Sequence, residues 1–483
     1  MTTWEPVIGL EIHVQLKTQT KMFCGCALSF GDEPNVHTCP VCLGHPGTLP
    51  TVNERAIHFA LMIAQALECE IAPCSIFHRK NYFYPDLPKG YQISQYDIPV
   101  ASKGKLGEIR IHRAHLEEDA AKLVHAGESG RIHGSETSLV DFNRGGTPLV
   151  EIVTEPDIRT AAQAREWLQL LRTTLRAIGV SDVNMEQGSL RCDANISVRP
   201  EGTEELGTKA ELKNMNSFRF IERGIEAEIE RQIGLLESGE EVEQETLHFD
   251  PADGSLTSLR SKEEAHDYRY FPEPDLVPLV PTEAMIAAAR DELPELPAQR
   301  RDRYASEQGL PDEQAATLAF TDGLGDYFES ALASGAGHID GGVEATTLAV
   351  WVTGDLTAAL REAGDEDPGS SKVTPESLAA LVGLVEAKTV NRGAAKQVLS
   401  ILVAEGGDPA EIVEREGLAA ISDEGELAKI VEAAIAAQPE AAEQIKAGNE
   451  KAIGRIMGVV MKETSGRADG GAVQKLIREQ LGL

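Results

Sequence analysis

The stretch Val7-Ile8-Gly9-Leu10-Glu11-Ile12-His13-Val14 decides the fold of this chain, because it has the pattern of a buried β-strand interrupted by polar residues. Side chains alternate between the two faces of a strand, so Glu11 and His13 share one face while apolar residues occupy the other. An unpaired carboxylate in such a run costs several kcal/mol of desolvation free energy. A metal ion or a cationic substrate removes that cost, so the stretch predicts an enzyme with an acidic cavity.

Further segments add acids to this predicted cavity. Thr147-Pro148-Leu149-Val150-Glu151-Ile152-Val153 and Leu190-Arg191-Cys192-Asp193-Ala194-Asn195-Ile196-Ser197-Val198 have the same strand pattern, and His115-Leu116-Glu117-Glu118-Asp119 is an acidic cluster. Carboxylate oxygens with one imidazole and no thiolate suit Mg²⁺ or Mn²⁺. The alternative is a set of unrelated buried salt bridges, whose basic partners would be Arg191, Arg144 or Lys213.

Four of the seven cysteines form a C-x-C and C-x-x-C set, Cys24-Gly25-Cys26 and Cys39-Pro40-Val41-Cys42. Two short thiolate pairs on tight loops predict a tetrahedral structural zinc site near residues 24–42, with His37 as a substitute for one cysteine. Four protein ligands fill the coordination sphere of the metal and leave no position for a substrate, which argues against catalysis at this site. The alternative is four reduced structural cysteines. An odd cysteine count without a secretion signal does not indicate a disulfide framework.

The composition describes a globular and strongly acidic protein. The chain has 483 residues and a formal net charge of −33, and a chain of this length predicts about three domains at roughly 150 residues each. No apolar run is long enough to span a membrane and the N-terminus lacks a secretory signal, which predicts a cytoplasmic protein. The acidity predicts a surface adapted to high salt, where charges are screened within about 3 Å at 1 M. A merely acidic mesophilic surface is the alternative.

The fold class predicted from these patterns is α+β. Residues 1–292 mix strands with a few helices, including one that begins at the capping box of Thr160 and ends at Gly179. A second helix is expected over about Ile221 to Leu236. The prolines of Leu293-Pro294-Glu295-Leu296-Pro297 break the chain, and the rest is helical. A further break at Glu405-Gly406-Gly407-Asp408-Pro409 predicts an all-α middle domain over 293–405 and a small all-α tail domain over 406–483.

The tail has a net positive charge although the chain as a whole is acidic, because basic residues outnumber acidic ones from Lys446 to Leu483. On a helix, Lys451, Arg455 and Lys462 share one stripe with Gly458, opposite an apolar face. Glycines such as Gly454 and Gly458 destabilise a helix by about 1 kcal/mol each, which makes sense where another backbone approaches closely. We therefore predict that this stripe contacts phosphate groups of a nucleic acid. The alternative is a solvated basic face.

Several cations accompany the acids and aromatics of the first domain. His78-Arg79-Lys80-Asn81-Tyr82-Phe83-Tyr84-Pro85-Asp86 interleaves both kinds of side chain, and Lys89 follows soon after. Lysine and arginine hold phosphates, and the chain has no G-x-x-x-x-G-K-[ST] loop, so any ATP is held through metal and carboxylates. The candidate cofactor-binding residues are Lys80, Lys89, Arg191 and Lys213.

Long motifs resemble the B subunit of the tRNA-dependent amidotransferases, and the resemblance covers the whole chain. The matching motifs are Val7–Leu16, Arg79–Asp86, Gln92–Gln95, His115–Ala120, Phe142–Leu149, Gly188–Asn195, Lys209–Asn214, Tyr268–Asp275 and Gly454–Gly458. The resemblance implies a cradle-like, mixed-sheet catalytic domain. It also implies a heterotrimer, in which the partners are an amidase and a small third protein. The expected substrate is mischarged tRNA, carrying Asp on tRNA(Asn) or Glu on tRNA(Gln).

The reaction that this resemblance implies is a ligase reaction. ATP phosphorylates the side-chain carboxylate of the mischarged residue, and ammonia released from glutamine by the amidase then displaces the phosphate. The implied Mg²⁺ site maps onto Glu11, His13 and Glu118, with Glu151 and Asp193 as further catalytic residues of the same cavity. Lys80 and Lys89 fall near the mouth of an ammonia channel, and the tail meets the tRNA elbow. The competing hypothesis is a non-catalytic tRNA-binding scaffold.

Overall fold

A computed structural model describes residues 3–126, 137–260, 268–321, 323–334, 343–364, 368–420, 424–464 and 467–483. The chain divides into two compact units, Met1–Pro297 and Ala298–Leu483. The first unit contains the sheet and the second is helical, so the α+β prediction is confirmed. Among the described residues, no helix is both long and apolar enough to cross a membrane.

The first unit is built on a large mixed sheet. The strands described in it are β1 (Trp4–Gln15), β2 (Glu70–Ile71), β3 (His78–Asn81), β4 (Tyr91–Ser94), β5 (Ala101–Leu106), β6 (Ile109–Glu118), β7 (Lys122–Ala126), β8 (Thr137–Asp141), β9 (Pro148–Thr154), β10 (Leu190–Pro200), β11 (Ala210–Met215), β12 (Thr246–Phe249), β13 (Leu256–Arg260) and β14 (Phe271–Pro272). Over the described residues, nine of them form one sheet in the order β13-β12-β11-β10-β1-β9-β6-β5-β2. Strands β14, β3 and β4, in that order, form a small second sheet, and β7 and β8 form a hairpin.

The three strand patterns of the sequence become neighbours at the centre of the large sheet. β1 pairs antiparallel with β10 on one side and with β9 on the other. Ile8, Leu10 and Ile12 are completely or almost completely buried, as expected for the apolar face of a central strand. The strand predictions are therefore confirmed, and the opposite face of the same strands carries the polar residues.

Helices cover the apolar face of the sheet. They are α1 (Glu54–Ala66), α2 (Ala161–Ala177) and α3 (Phe218–Ser238), and α4 (Glu283–Asp291) packs against α1. The predicted N-cap is confirmed, because the Thr160 hydroxyl accepts a hydrogen bond from the Gln163 amide; the Gln163 side chain reaches back to the Arg159 amide at 2.8 Å rather than to that of Thr160. Gly179 follows the helix with φ +70°. The expected second helix is also present and extends further at both ends, as α3. These helices do not cover the polar face of the sheet, which is called the open face below.

The second unit contains helices and two separate apolar clusters. Its described helices are α5 (Pro297–Glu307), α6 (Asp312–Phe320), α7 (Leu324–Ala333), α8 (Ala345–Val350), α9 (Thr357–Ala363), α10 (Pro375–Glu386), α11 (Arg392–Glu405), α12 (Pro409–Arg415), α13 (Glu424–Ala437), α14 (Pro439–Lys446), α15 (Ile453–Glu463) and α16 (Gly470–Leu481). A π-helical segment, Trp351–Leu356, joins α8 to α9, and a 3₁₀ turn, Glu450–Ala452, precedes α15. One cluster consists of buried apolar residues between Tyr304 and Leu418, and the other consists of buried apolar residues between Leu427 and Ile477. The division of this unit into two domains at residue 405 stays a prediction.

Candidate functional site

The open face of the large sheet carries a row of charged side chains on four adjacent strands. Arg191 on β10 is in register with His13 on β1, and His13 is in register with Glu151 on β9. Glu151 is in turn in register with His115 on β6. Directly opposed residues on neighbouring strands bring their side chains close together. The sheet therefore assembles the charged row from segments that lie far apart in the sequence.

Within this row, one imidazole and two carboxylates have the spacing of a metal site. His13, Glu117 and Glu151 each offer one ligand atom, and these atoms all lie within 4.8 Å of one another. His13 Nε2 is 3.4 Å from Glu151 and 3.8 Å from Glu117. His115 Nε2 lies 3.6 Å from Glu117 and 3.5 Å from Glu151 on the far side. Two hard oxygen donors and one imidazole fit Mg²⁺ or Mn²⁺.

Electrostatics keep this acidic cluster charged although it is buried. Burial alone lowers the pKa of His13, but hydrogen bonding to Glu151 and the charge of Glu117 outweigh burial and raise it. Burial raises the pKa of Glu117, and the neighbouring His115 and His13 outweigh burial and lower it. Burial likewise raises the pKa of Glu151, and His115 and His13 outweigh burial and lower it. Both acids are therefore held as carboxylates, the form that binds a cation.

The observed cluster differs from the predicted magnesium ligands at two positions. Glu118 lies on the opposite face of β6, where its carboxylate pairs with the Lys89 ammonium and accepts a hydrogen bond from the Ile93 amide at 3.0 Å. Glu11 lies on the open face but accepts a hydrogen bond from Asn195 at 2.9 Å. Glu117 rather than Glu118 belongs to this cluster, and the role of Glu118 as a magnesium ligand stays a prediction. Period-two spacing from His115 is the signal that identifies Glu117.

Salt bridges account for other acids of the open face. Asp193 accepts a hydrogen bond from Lys213 Nζ at 2.7 Å, and the same ammonium lies 2.8 Å from Glu211. Asp119 is 4% exposed and lies 3.0 Å from Arg191 and 3.7 Å from Arg144. The salt-bridge alternative therefore describes Asp193 and Asp119. For these two acids the cationic partner is supplied by the chain itself.

A cavity of about 1450 Å³ opens over this face, and its lining includes His13, Arg191, Asp193 and Lys213. Such a volume accommodates a nucleotide together with a second substrate. Lys80 approaches the same acids from β3: burial alone lowers its pKa, and the charges of Glu117, Tyr270 and Glu151 outweigh burial and raise it. Its ammonium also lies 4.9 Å from the centre of the Tyr268 ring. Lys80 therefore belongs to this site, whereas Lys89 pairs with Glu118.

The four cysteines of the predicted zinc site come together. The sulfur atoms of Cys24, Cys26, Cys39 and Cys42 all lie within 4.8 Å of one another. A hydrogen bond from Cys24 is the main cause that lowers the pKa of Cys42 to about 4, and the Cys39 amide and the Lys21 ammonium add to it. His37 Nε2 instead lies 2.7 Å from Asp32 and 3.0 Å from the Ser29 hydroxyl.

A buried lysine supports the fit of a metal to these cysteines. Lys21 is 1% exposed, and its ammonium lies 3.8 Å from Cys42 Sγ and 2.9 Å from the Phe142 carbonyl. A buried ammonium is stable only beside negative charge. Four thiolates around a divalent ion carry a net charge of about −2, which is the counter-charge that Lys21 needs.

The basic residues predicted in the tail lie together on the surface of the second unit. Lys451, Arg455 and Lys462 are all exposed, whereas Ile456 and Val460 on the other side are completely buried. An added Cβ at Gly454 or Gly458 would meet no atom within 4 Å. No packing within the described chain therefore requires glycine at these two positions, which leaves room for an external backbone.

Comparison with known proteins gives matches to both units. A family model described as the GatB/GatE catalytic domain matches residues 6–287, and one described as the GatB domain matches residues 326–481. The B subunit of the aspartyl/glutamyl-tRNA(Asn/Gln) amidotransferase of Moorella thermoacetica is 49% identical over 486 residues, which cover 99% of this chain and 100% of the relative. The B subunit of the same enzyme from an Anaeromyxobacter species is 48% identical over 491 residues, covering 100% of this chain and 99% of the relative. That of Geobacter sulfurreducens is 49% identical over 486 residues, or 99% of each chain.

Proposed function

Because the chain belongs to the GatB family of tRNA-dependent amidotransferase B subunits, we propose that it activates and amidates the side-chain carboxylate of mischarged aminoacyl-tRNA. The substrates are Asp-tRNA(Asn), Glu-tRNA(Gln) or both, as in the names of its relatives. The observation that carries the proposal is the cluster of His13, Glu117 and Glu151 beneath the large cavity. A binding scaffold has no reason to hold two buried carboxylates beside each other.

The chemistry proceeds in two steps. An oxygen of the substrate carboxylate attacks the γ-phosphorus of ATP, a new P–O bond forms, and the bond to ADP breaks. The nitrogen of ammonia then attacks the acyl carbon, phosphate leaves with the C–O bond electrons, and the nitrogen loses a proton. A carboxylate is a poor acyl donor until phosphorylation gives its oxygen a leaving group.

The site residues divide into a metal-binding group and a cationic group. His13, Glu117 and Glu151 would hold Mg²⁺. A bound Mg²⁺ would neutralise negative charge on the phosphoryl group during its transfer. Arg191, in register beside His13, and Lys80, beside Glu117, bind phosphate oxygens from either side. Glu11 and the Lys213–Asp193 pair continue this surface along β1, β10 and β11.

Further assignments cover the rest of the chain. The four cysteines hold a structural Zn²⁺, and the exposed Lys451, Arg455 and Lys462 of the tail contact tRNA phosphates. The chain works in the cytoplasm as part of a heterotrimer, with an amidase that delivers ammonia and a small third protein. Lys80 and Lys89, the latter paired with Glu118, lie near the entry of that ammonia.

The test is amide formation on mischarged tRNA by the co-purified trimer in molar KCl, with ATP and ammonium chloride instead of glutamine. Ammonium bypasses the amidase, so the assay reports on this chain. We expect Glu117→Gln to abolish amide formation and to leave tRNA binding intact. If Glu117→Gln and Glu151→Gln both retain full activity, the chemistry lies in a partner and this chain is a scaffold.

A further inference from the structure

The second cysteine pair of the zinc site forms a tight turn that ends at Gly44. The Leu43 amide donates to the Cys39 carbonyl and the Gly44 amide donates to the Val41 carbonyl, both at 3.0 Å. The Cys39 amide also donates to Cys42 Sγ at 3.2 Å. Gly44 has φ +71°, a left-handed conformation that strongly favours glycine. The position of Gly44 is therefore fixed by the same turn that presents two sulfur ligands.

Gly44 lies directly against Lys89. A Cβ built on Gly44 would lie 2.6 Å from Lys89 Cγ and 3.0 Å from Lys89 Cα. These distances are shorter than any van der Waals contact between carbon atoms, so no other residue fits here without moving Lys89. The turn thus forms one wall of the space that the lysine stem occupies.

The other end of Lys89 is held by Glu118. The side chains of Lys89 and Glu118 are 10% and 5% exposed, and their charged groups form an ion pair. The same Glu118 oxygen accepts the hydrogen bond from the Ile93 amide, and the Lys89 ammonium lies 5.5 Å from the centre of the Tyr91 ring. A long, flexible side chain is therefore confined at its stem by Gly44 and at its tip by Glu118.

One cavity connects the cysteines to this ion pair. Its volume is about 200 Å³, and its lining includes Cys24, Cys42, Gly44, Lys89 and Glu118. The zinc site and the Lys89–Glu118 pair are consequently parts of one local structure, separated only by the width of a small cavity.

We propose that the cysteine turn is a positioning element for Lys89. With zinc bound to the cysteines, the turn holds Gly44 against the lysine stem and so keeps the ammonium on Glu118. Without the metal, the four sulfurs no longer hold the turn closed, and Lys89 gains freedom to leave Glu118. The mechanical part of this inference stands on the contacts alone, and its effect on amide formation rests on the proposed function.

The chain provides a matched pair of variants. Gly47 lies three residues further along the chain and also has a left-handed backbone, with φ +84°, but a Cβ there meets no atom within 4 Å. Gly44→Ala and Gly47→Ala therefore carry the same backbone strain, and only Gly44→Ala intrudes on Lys89. Any difference between them measures the contact with Lys89.

The first readout is hydrogen exchange of the Ile93 amide in the co-purified trimer, together with zinc content. We expect both variants to retain zinc. Exchange at Ile93 should rise about tenfold in Gly44→Ala and stay unchanged in Gly47→Ala, because an overpacked contact displaces the lysine that holds Glu118. Equal exchange in the two variants would overturn the proposal.

Metal removal tests the role of the zinc independently of any substitution. Treating the native trimer with a chelator should raise exchange at Ile93 as Gly44→Ala does, and adding zinc back should restore protection. Unchanged protection in metal-free protein would overturn the metal's role, even if Gly44→Ala failed to fold.

The activity readout is a double-mutant cycle with ammonium as the nitrogen donor. Gly44→Ala should lower amide formation in the native background and cause no further loss in a Lys89→Ala background, whereas a general structural defect would add to the loss. Additive losses would overturn the proposal. A native trimer that makes no amide would contradict the proposed function and leave the exchange comparison as the test of positioning.

Discussion

Nε2 of His13 lies 3.4 Å from a carboxylate oxygen of Glu151, its direct partner across the β1–β9 ladder. Two ligands of a candidate metal site are thus fixed by strand pairing, the most rigid relationship that this unit offers. Glu117 completes the set from β6, the strand that pairs with β9 on its other side. The site is therefore held in place by the sheet rather than by loops.

The two adjacent glutamates of β6 should respond differently to the same substitution. Glu117→Gln should lower the affinity for Mn²⁺, used in place of Mg²⁺, by at least about tenfold, because it replaces a charged oxygen ligand with a neutral amide. Glu118→Gln is the matched control and should leave Mn²⁺ affinity unchanged, since Glu118 faces Lys89. Electron paramagnetic resonance of bound Mn²⁺ measures both. Loss of binding in Glu118→Gln alone would contradict this assignment.

Asp119 should contribute strongly to the stability of the first unit. Asp119→Asn should lower the free energy of unfolding by roughly 3 kcal/mol at neutral pH, because Arg191 and Arg144 lose the buried charge that pairs with them. Urea unfolding of the full chain measures this change. Glu70→Gln, which breaks the exposed Lys103–Glu70 pair, is the control and should cost less than about 1 kcal/mol.

The contribution of Asp119 should also depend on pH in a defined direction. Burial alone raises the pKa of Asp119, but Arg191 and Arg144 outweigh burial and lower it below 3.8. A lowered folded-state pKa stabilises the protein above the unfolded pKa and loses that effect as pH falls through the folded value. The difference between the native protein and Asp119→Asn should therefore be constant above about pH 5 and shrink below about pH 4. A difference that grows on acidification would contradict this pairing.

Charge reversal in the tail should weaken tRNA binding in a salt-dependent way. Lys451→Glu combined with Arg455→Glu should reduce the slope of log affinity against log salt concentration by about one to two, since each phosphate contact contributes about one unit. Filter binding across a KCl series measures the slope. Lys475→Glu on α16 is the control, because Lys475 already lies 3.7 Å from Glu479. An unchanged slope in the double variant would exclude the contact.

The net charge of −33 should make stability depend on salt. We expect the melting temperature to rise from low salt to molar KCl, because self-repulsion is screened within about 3 Å at 1 M. Differential scanning calorimetry across a KCl series measures the rise, with sucrose at equal osmolarity as the uncharged control. A melting temperature that does not change with KCl would reject adaptation to high salt.

The sequence predicts the central strands and their helices well, because their patterns are local. Alternation in Val7–Val14 and Leu190–Val198 specifies the buried face, and the cap at Thr160 specifies the start of α2. Neither the strand alternation nor the helix cap predicts which strands pair with each other. The register of His13 with Arg191 and Glu151 comes from the packed sheet, so the charged row is a property of the fold.

The faces on which Glu117 and Glu118 lie could not be predicted from alternation alone. Ile109 and Ile111 are buried at odd positions of β6, but Ala114 and Leu116 are buried at even ones, because the register shifts between Ile111 and Arg113. Such a bulge inserts one residue and reverses which side chains face the core beyond it. Alternation counted from Ile109 would therefore place Glu117 and Glu118 on the wrong faces; the prediction of Glu118 itself comes from the family resemblance and not from this pattern.

The central place of β1 also has a consequence for how the protein is made. This strand leaves the ribosome well before its partners β9 and β10, which begin only at Pro148 and Leu190. At about 5–20 residues per second, β1 waits on the order of ten seconds with both edges unpaired and its apolar face exposed. Nascent chains of this protein should therefore engage chaperones early, and a ribosomal pause before Leu190 should favour aggregation over folding.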